Sequence, residues 1–209
     1  MHLYFKPGAC SLAARITLIE LGLPFAAVPV DTAKGTTATG ADYKRINPKG
    51  YVPALAISPG VVITENPAIL QYLADLAPER GLAPPAGGLE RVRLQEWLAF
   101  ISSELHKAFA PWFSGRPMSA DDKARAEAHL ARRLDDVERQ LADGRTYLLG
   151  EGFTVADAYL FAVLNWTRFI GVSLEAWPYA ARFVEQAQAR SAVREALIEE
   201  GLSPAGDAA

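Results

Sequence analysis

The chain holds one cysteine, three histidines and two methionines among its 209 residues. A lone thiol forms no internal disulfide and builds no cysteine-rich zinc site, and His2, His106 and His129 have no metal-ligand spacing, so no metal is expected. Long hydrophobic runs are lacking as well. The longest uncharged stretch, Gly50 to Thr64, is 15 residues and is broken by Pro53 and Pro59. A membrane-spanning helix needs about 20 apolar residues without such breaks. Lys6, Arg15 and Glu20 interrupt the apolar N-terminus and leave no secretory core. Neither charge sign dominates: 21 basic and 24 acidic residues leave a formal charge of −3. No cluster of Lys and Arg is available to displace counterions from nucleic acid. These absences point to a cytoplasmic protein with no membrane and no nucleic-acid partner. What remains is an ordinary globular composition, half hydrophobic and 22% charged, long enough for one large domain or two small ones.

A break in composition divides the chain. Pro78 to Gly88 packs three prolines and three glycines into eleven residues, a density that neither helix nor strand survives. The expected division is 1–78, a linker at 79–88, and 89–209. Upstream, Leu3-Tyr4-Phe5 reads as a strand, Ser11–Leu21 as a helix ended by Gly22, and Phe25–Val30 as a second strand. Thr32–Asn47 is polar and carries at most a short helix. Two β-type runs flank Ser58-Pro59-Gly60 as a hairpin, and Pro67 opens a further helix. The order β-α-β-α-β-β-α makes a small α/β domain. Downstream the pattern is helical throughout. Leu89–Phe113 places Val92, Trp97, Leu98, Ile101, Leu105 and Phe109 on one stripe. Ser119 starts the next helix, Thr154 and Asp157 form a capping-box pattern, and ten uncharged residues, Ala158–Thr167, belong in the middle of a bundle.

Four places could carry chemistry. Cys10 precedes the first helix, where backbone N–H groups and the helix dipole favour a thiolate, although a lone cysteine is equally a small buried hydrophobe. Its surroundings are those of a thioredoxin motif with Ala13 in place of the second cysteine. Val52-Pro53 lies ahead of a strand. Glu65-Asn66-Pro67 sets a cap and a carboxylate at a helix start, a match for the two charged groups of an amino-acid terminus or simply a routine cap. His106 shares a strip of small residues with Ala99, Ser102, Ser103 and Ala110, opposite the apolar stripe. Such a strip lines a cleft, or else carries a surface histidine. Trp112, Phe113, Trp166 and Phe169 would suit an apolar pocket or the core.

Taken in order and spacing, Lys6-Pro7-Gly8-Ala9-Cys10-Ser11, Asn47-Pro48-Lys49-Gly50-Tyr51-Val52-Pro53-Ala54-Leu55, Thr64-Glu65, Ser103-Glu104-Leu105-His106-Lys107 and Phe153 to Phe161 resemble the bacterial beta-class glutathione S-transferases along nearly the whole chain. The resemblance implies a thioredoxin-like domain that binds glutathione, and an all-helical domain that supplies a second-substrate pocket at Ala110, Phe113 and Trp166. It also implies a homodimer. Cys10 and His106 take the catalytic positions. Val52 holds the cysteinyl backbone beside a cis Pro53, Glu65 and Asn66 hold the γ-glutamyl end, and Ser103, His106 and Lys107 close over the thiol. Gly35 stands where the family commonly has lysine, leaving neighbouring Lys34 for the glycyl carboxylate; Ala99 and Phe5 also depart from the pattern. The expected activity is conjugation of glutathione to a hydrophobic electrophile, a detoxification reaction, with thiol–disulfide exchange through Cys10. The alternatives are a glutathione-dependent thiol reductase or reductive dehalogenase, and a non-catalytic ligand-binding or stress-regulatory protein of the same fold.

Overall fold

The computed structural model describes residues 1–202; residues 203–209 of the expected 89–209 segment lie outside them. The first part is built on a five-stranded mixed sheet in the order β3-β2-β1-β4-β5. Its strands are β1 (His2–Phe5), β2 (Ala26–Asp31), β3 (Thr36–Thr37), β4 (Ala54–Ser58) and β5 (Val61–Thr64). β1 lies parallel to β2 and antiparallel to β4. Parallel neighbours require a crossover, and α1 (Leu12–Leu21) supplies it before ending at Gly22 with φ +65°. The hairpin between β4 and β5 turns at Ser58-Pro59-Gly60 as the sequence anticipates.

Thr32–Asn47 differs in detail from expectation. The helix there is a single 3-10 turn, Tyr43–Arg45, capped by Asp42, and the segment adds the two-residue edge strand β3. Two residues are too few to display a period of two.

The apolar spacing of α1 suggests a stripe, yet eight of its ten residues are buried. It is covered by the sheet on one side and by α2 (Asn66–Leu76), α7 (Val155–Leu164) and α10 (Ser191–Glu199) on the others. Side chains from Leu3 to Leu197 accordingly form one continuous hydrophobic cluster. The Pro/Gly-rich stretch thus connects two parts that share a core.

The helical part consists of α3 (Leu89–Phe100), α4 (His106–Ala108), α5 (Ala110–Phe113), α6 (Ala120–Leu141), α7, α8 (Thr167–Ile170), α9 (Pro178–Gln188) and α10. The sequence reads Leu89–Phe113 as continuous. Instead the backbone widens into a π turn at Ile101–Leu105, and Phe109 separates α4 from α5. Leu98, Ile101, Leu105 and Phe109 stay fully buried, whereas Val92 is 48% exposed and leaves the stripe. Ser119 caps α6, its hydroxyl accepting from the Asp122 N–H at 3.1 Å. The uncharged helix does lie at the centre: all ten residues of α7 are buried, though it ends at Leu164 and not at Thr167. The capping box also forms, with Asp157 accepting from the Thr154 N–H at 2.8 Å. Among the described residues, no helix is long and apolar enough to cross a membrane.

Candidate active site

A cleft of about 780 Å³ opens between the two parts. Its floor is the loop from β1 into α1. Cys10 sits in a tight turn here, two residues before the helix begins at Leu12. The Leu12 and Ala13 N–H groups are already committed to the carbonyls of Ala9 and Cys10, at 3.1 and 3.2 Å. They are therefore not spread beneath the sulfur as an anion site. Cys10 Sγ instead donates to the Val52 carbonyl at 3.5 Å. Cys10 is half-buried and lines the cleft. Burial pushes the thiol up to about 12, against the opposing pull of its own backbone N–H and of Lys107. Desolvation thus opposes the readily ionised thiol expected from the helix dipole.

One wall is the Val52-Pro53 turn, whose peptide bond is cis as the resemblance implies. It is held from behind, because the Tyr51 carbonyl accepts from the Tyr43 hydroxyl at 2.6 Å and from Asn47 Nδ2 at 2.8 Å. Both donor residues are buried to within 1%. Beside it, β5 turns into α2 at Glu65. With φ at +69°, Glu65 is the one non-glycine among the described residues in the left-handed region. Such a conformation costs about 1–3 kcal/mol and persists only where its surroundings over-determine it. The Glu65 carbonyl accepts from the Ala68 and Ile69 N–H groups, making Glu65 the cap. The sequence assigned that role to Asn66. Asn66 is instead the first residue of α2, and its Nδ2 reaches across to the Cys10 carbonyl at 2.8 Å. The Glu65 carboxylate projects outward and pairs with Lys49 Nζ at 2.6 Å.

The opposite wall comes from the helical part. The π turn shifts the face of the chain just before His106 and sets Ser102, Ser103, His106 and Lys107 on the cleft. His106 Nδ1 meets the Tyr159 hydroxyl at 3.0 Å, and the ring stands edge-on to Trp166 with centroids 4.7 Å apart. Burial, with Lys107 adding to it, lowers the imidazole to about 4. His106 is neutral near pH 7. Trp166 joins the walls, since its Nε1 donates to the Gly8 carbonyl at 2.7 Å.

Residues 8–76 match the family model "Glutathione S-transferase, N-terminal domain" and residues 90–186 match "Glutathione S-transferase, C-terminal domain". The chain is 44% identical to glutathione S-transferase GstA of Escherichia coli O157:H7, over 97% of this chain and 100% of that one. The chain belongs to the glutathione S-transferase family. Within the family it is similar to the bacterial beta-class enzyme of Sphingomonas chungbukensis, with a TM-score of 0.91 at 42% identity over 97% of this chain and 100% of that chain. It is equally similar to a sphingomonad glutathione S-transferase solved in complex with glutathione, at TM-score 0.91, 44% identity and the same coverage.

The cleft gathers Cys10, Val52, Pro53, Glu65, Asn66, Ser103, His106, Lys107, Phe113 and Trp166, drawn from both parts of the family fold. Two anticipated residues stay out of it. Lys34 is solvent-exposed and pairs with Asp31 at 3.3 Å, because the tight turn after β2 folds it back on its own strand. Ala110 begins α5 on the exposed side and does not line the cleft. Sequence reasoning missed Tyr159 and Lys49. Tyr159 carries the sole polar side chain between Ala158 and Leu164, a lone hydroxyl in an otherwise apolar helix that signals a partner across the core. Lys49 stands within the Asn47–Leu55 motif, but only the fold brings it to Glu65.

Proposed function

We propose that this cleft binds glutathione and that the protein conjugates its sulfur to a hydrophobic electrophile. The observation that carries the reading is the convergence of an amino-acid-terminus site, a backbone turn and a neutral imidazole along one cleft bordered by aromatic rings. The γ-glutamyl ammonium goes to the Glu65 carboxylate, displacing Lys49, and the adjacent carboxylate to the start of α2. The cysteinyl unit runs along Val52. That places its sulfur between Cys10 and His106.

His106 then acts as a neutral donor. Burial raises the Tyr159 hydroxyl far above its ordinary range, so it stays protonated and is available to donate to Nδ1. In the tautomer in which Nδ1 accepts from Tyr159, the other ring nitrogen carries the proton and stabilises a thiolate without itself being charged. The positive charge of Lys107 favours the same thiolate. Phe113, edge-on to Trp166 at 5.4 Å, offers an apolar surface to the second substrate. On binding, the Cys10 S–H turns from the Val52 carbonyl, which the cysteinyl unit then occupies, to donate to the glutathione sulfur. The Cys10 thiol is held protonated, which disfavours the thiolate attack that a reductase or dehalogenase would need. A cytoplasmic homodimer that detoxifies electrophiles fits the family and the expected division at 79–88.

The test is calorimetry of glutathione binding. Glu65→Ala removes a charge-assisted hydrogen bond and should cost about 1.5–3 kcal/mol of affinity. Unchanged affinity would remove the γ-glutamyl end from this corner.

A further inference from the structure

The Cys10 loop is held from outside its own domain. Gly8, with φ at +72°, turns the chain between β1 and α1. Its carbonyl accepts from Trp166 Nε1, and its N–H donates to Glu200 Oε2 at 2.9 Å. Both polar groups of this glycine are thus bonded to the helical part, one of them by the residue that ends α10. Glu200 is itself fixed. Its other oxygen accepts from Arg15 Nε at 3.1 Å, and its side chain has no exposed surface. Arg15 is also buried, with its guanidinium 4.1 Å from the Phe5 ring centroid, and its Nη1 binds Glu199 at 2.6 Å. Leu202 closes the arrangement with its side chain 3.8 Å from where a Cβ on Gly8 would lie.

We propose that Glu200 is a positioning residue for the reaction centre: braced by Arg15, its carboxylate holds the Gly8 peptide and so keeps Cys10 packed against Val52. The proposal rests on the reading of the cleft as the glutathione site for its catalytic consequence, but not for the constraint on Cys10. The alternative role for a buried carboxylate at this place is weaker. A purely structural partner for Arg15 would need no bond to the loop. Glu199 already meets Arg15 from a half-exposed position without touching Gly8.

The single cysteine makes the test direct, because every thiol signal from this chain is Cys10. The rate of its reaction with Ellman's reagent at about pH 8 is measured for the wild type and four variants. Glu200→Ala releases the Gly8 N–H and should speed the reaction about tenfold or more by admitting water to the sulfur. Glu200→Gln removes the charge yet keeps an oxygen for Gly8, so it should lie close to the wild type. Glu199→Ala removes an Arg15 partner only, and should leave the rate unchanged. Glu200→Ala leaves the buried Arg15 with Glu199 as its one carboxylate partner, and for that reason the double variant Arg15→Met, Glu200→Leu is included; replacing both partners of a buried pair by apolar side chains is commonly tolerated. It too should react about tenfold faster, with the circular dichroism of the wild type. A rate within about twofold of the wild type in the folded double variant, or equal acceleration by Glu199→Ala, would overturn the proposal. In the conjugation assay the released variants should lose kcat more than their KM for glutathione rises. Failure of the glutathione reading would appear in the Glu65 calorimetry and leave the thiol rates as stated.

Discussion

In the proposed reaction Cys10 and His106 divide the chemistry between them, and their protonation decides how. The Cys10 thiol titrates near 12 because burial outweighs the nearby positive charge. Without added glutathione it should react with disulfide reagents more slowly than an exposed cysteine at pH 8, and mass spectrometry after incubation with oxidised glutathione should show little adduct. Rapid, complete adduct formation would instead assign the thiolate role to Cys10. Cys10→Ala should weaken conjugation only moderately, since the nucleophilic sulfur belongs to glutathione. His106→Ala should lower the conjugation rate further, within the 10²–10⁴-fold typical of groups that handle protons or hydrogen-bond a reacting atom (about 3–5 kcal/mol). With its imidazole held near 4, His106 is already neutral at pH 5.5. The pH profile of the wild type between about 5.5 and 8 should therefore show no step that His106→Ala removes, and such a step would mean that the imidazolium takes part.

Among the elements, α7 shows how a motif that looks functional serves the fold. Asp157 is fully buried, and its carboxylate accepts from the Leu148 N–H, the Thr154 N–H and the Thr154 hydroxyl. Asp157→Ala leaves two buried N–H groups unsatisfied and should destabilise the protein by about 2–3 kcal/mol. A thermal melt should report the loss while activity per folded molecule stays near that of the wild type. Burial raises the Asp157 carboxyl from 3.8 to about 6. A carboxyl raised on folding binds protons more tightly in the native state, so its contribution is full below about pH 4 and declines as the pH rises through 6. His106, lowered on folding, acts in the opposite sense over pH 4–6.5. The informative quantity is hence the difference in melting temperature between the wild type and Asp157→Asn. The wild type should lose ground relative to this variant between pH 4 and 7, and a constant difference would contradict the assignment.

At the scale of the whole molecule, the shared core explains why the site lies at a junction. α1 is packed by the sheet and by helices of the second part, so the loop before it faces both. On the outside, Leu89 and Val92 remain exposed on α3, at 64% and 48%. In the homodimer proposed above, a second copy would cover these apolar side chains, which the core does not use. Light scattering should give twice the 22.6 kDa chain mass, and Val92→Glu should shift it toward the single-chain value with helix content intact. A wild-type mass of one chain would remove the dimer.

The amino-acid sequence alone determined most of the succession of strands and helices, the hairpin, the caps at Gly22, Ser119 and Thr154, and the central place of α7. Each of these depends on neighbours within a few positions, whose spacing and turn chemistry are written locally. It also indicated most of the cleft, because the residues of a binding site recur in recognisable order along the chain. Tertiary structure decided the rest. Cys10 lies before a helix, as its sequence says, but the depth of its burial depends on Val52, Asn66 and the far end of the chain, and that depth opposes the expected ionisation. Lys34 is drawn to Asp31 and Lys49 to Glu65, through turns whose closure no periodicity records. Asn66 yields the cap to Glu65 because the strained turn presents the Glu65 carbonyl and not the Asn66 side chain. Tyr159 reaches His106 across 53 positions, and Glu200 reaches Gly8 across 192. Desolvation and long-range hydrogen bonds are properties of what surrounds a residue in space, and only the folded chain specifies those surroundings.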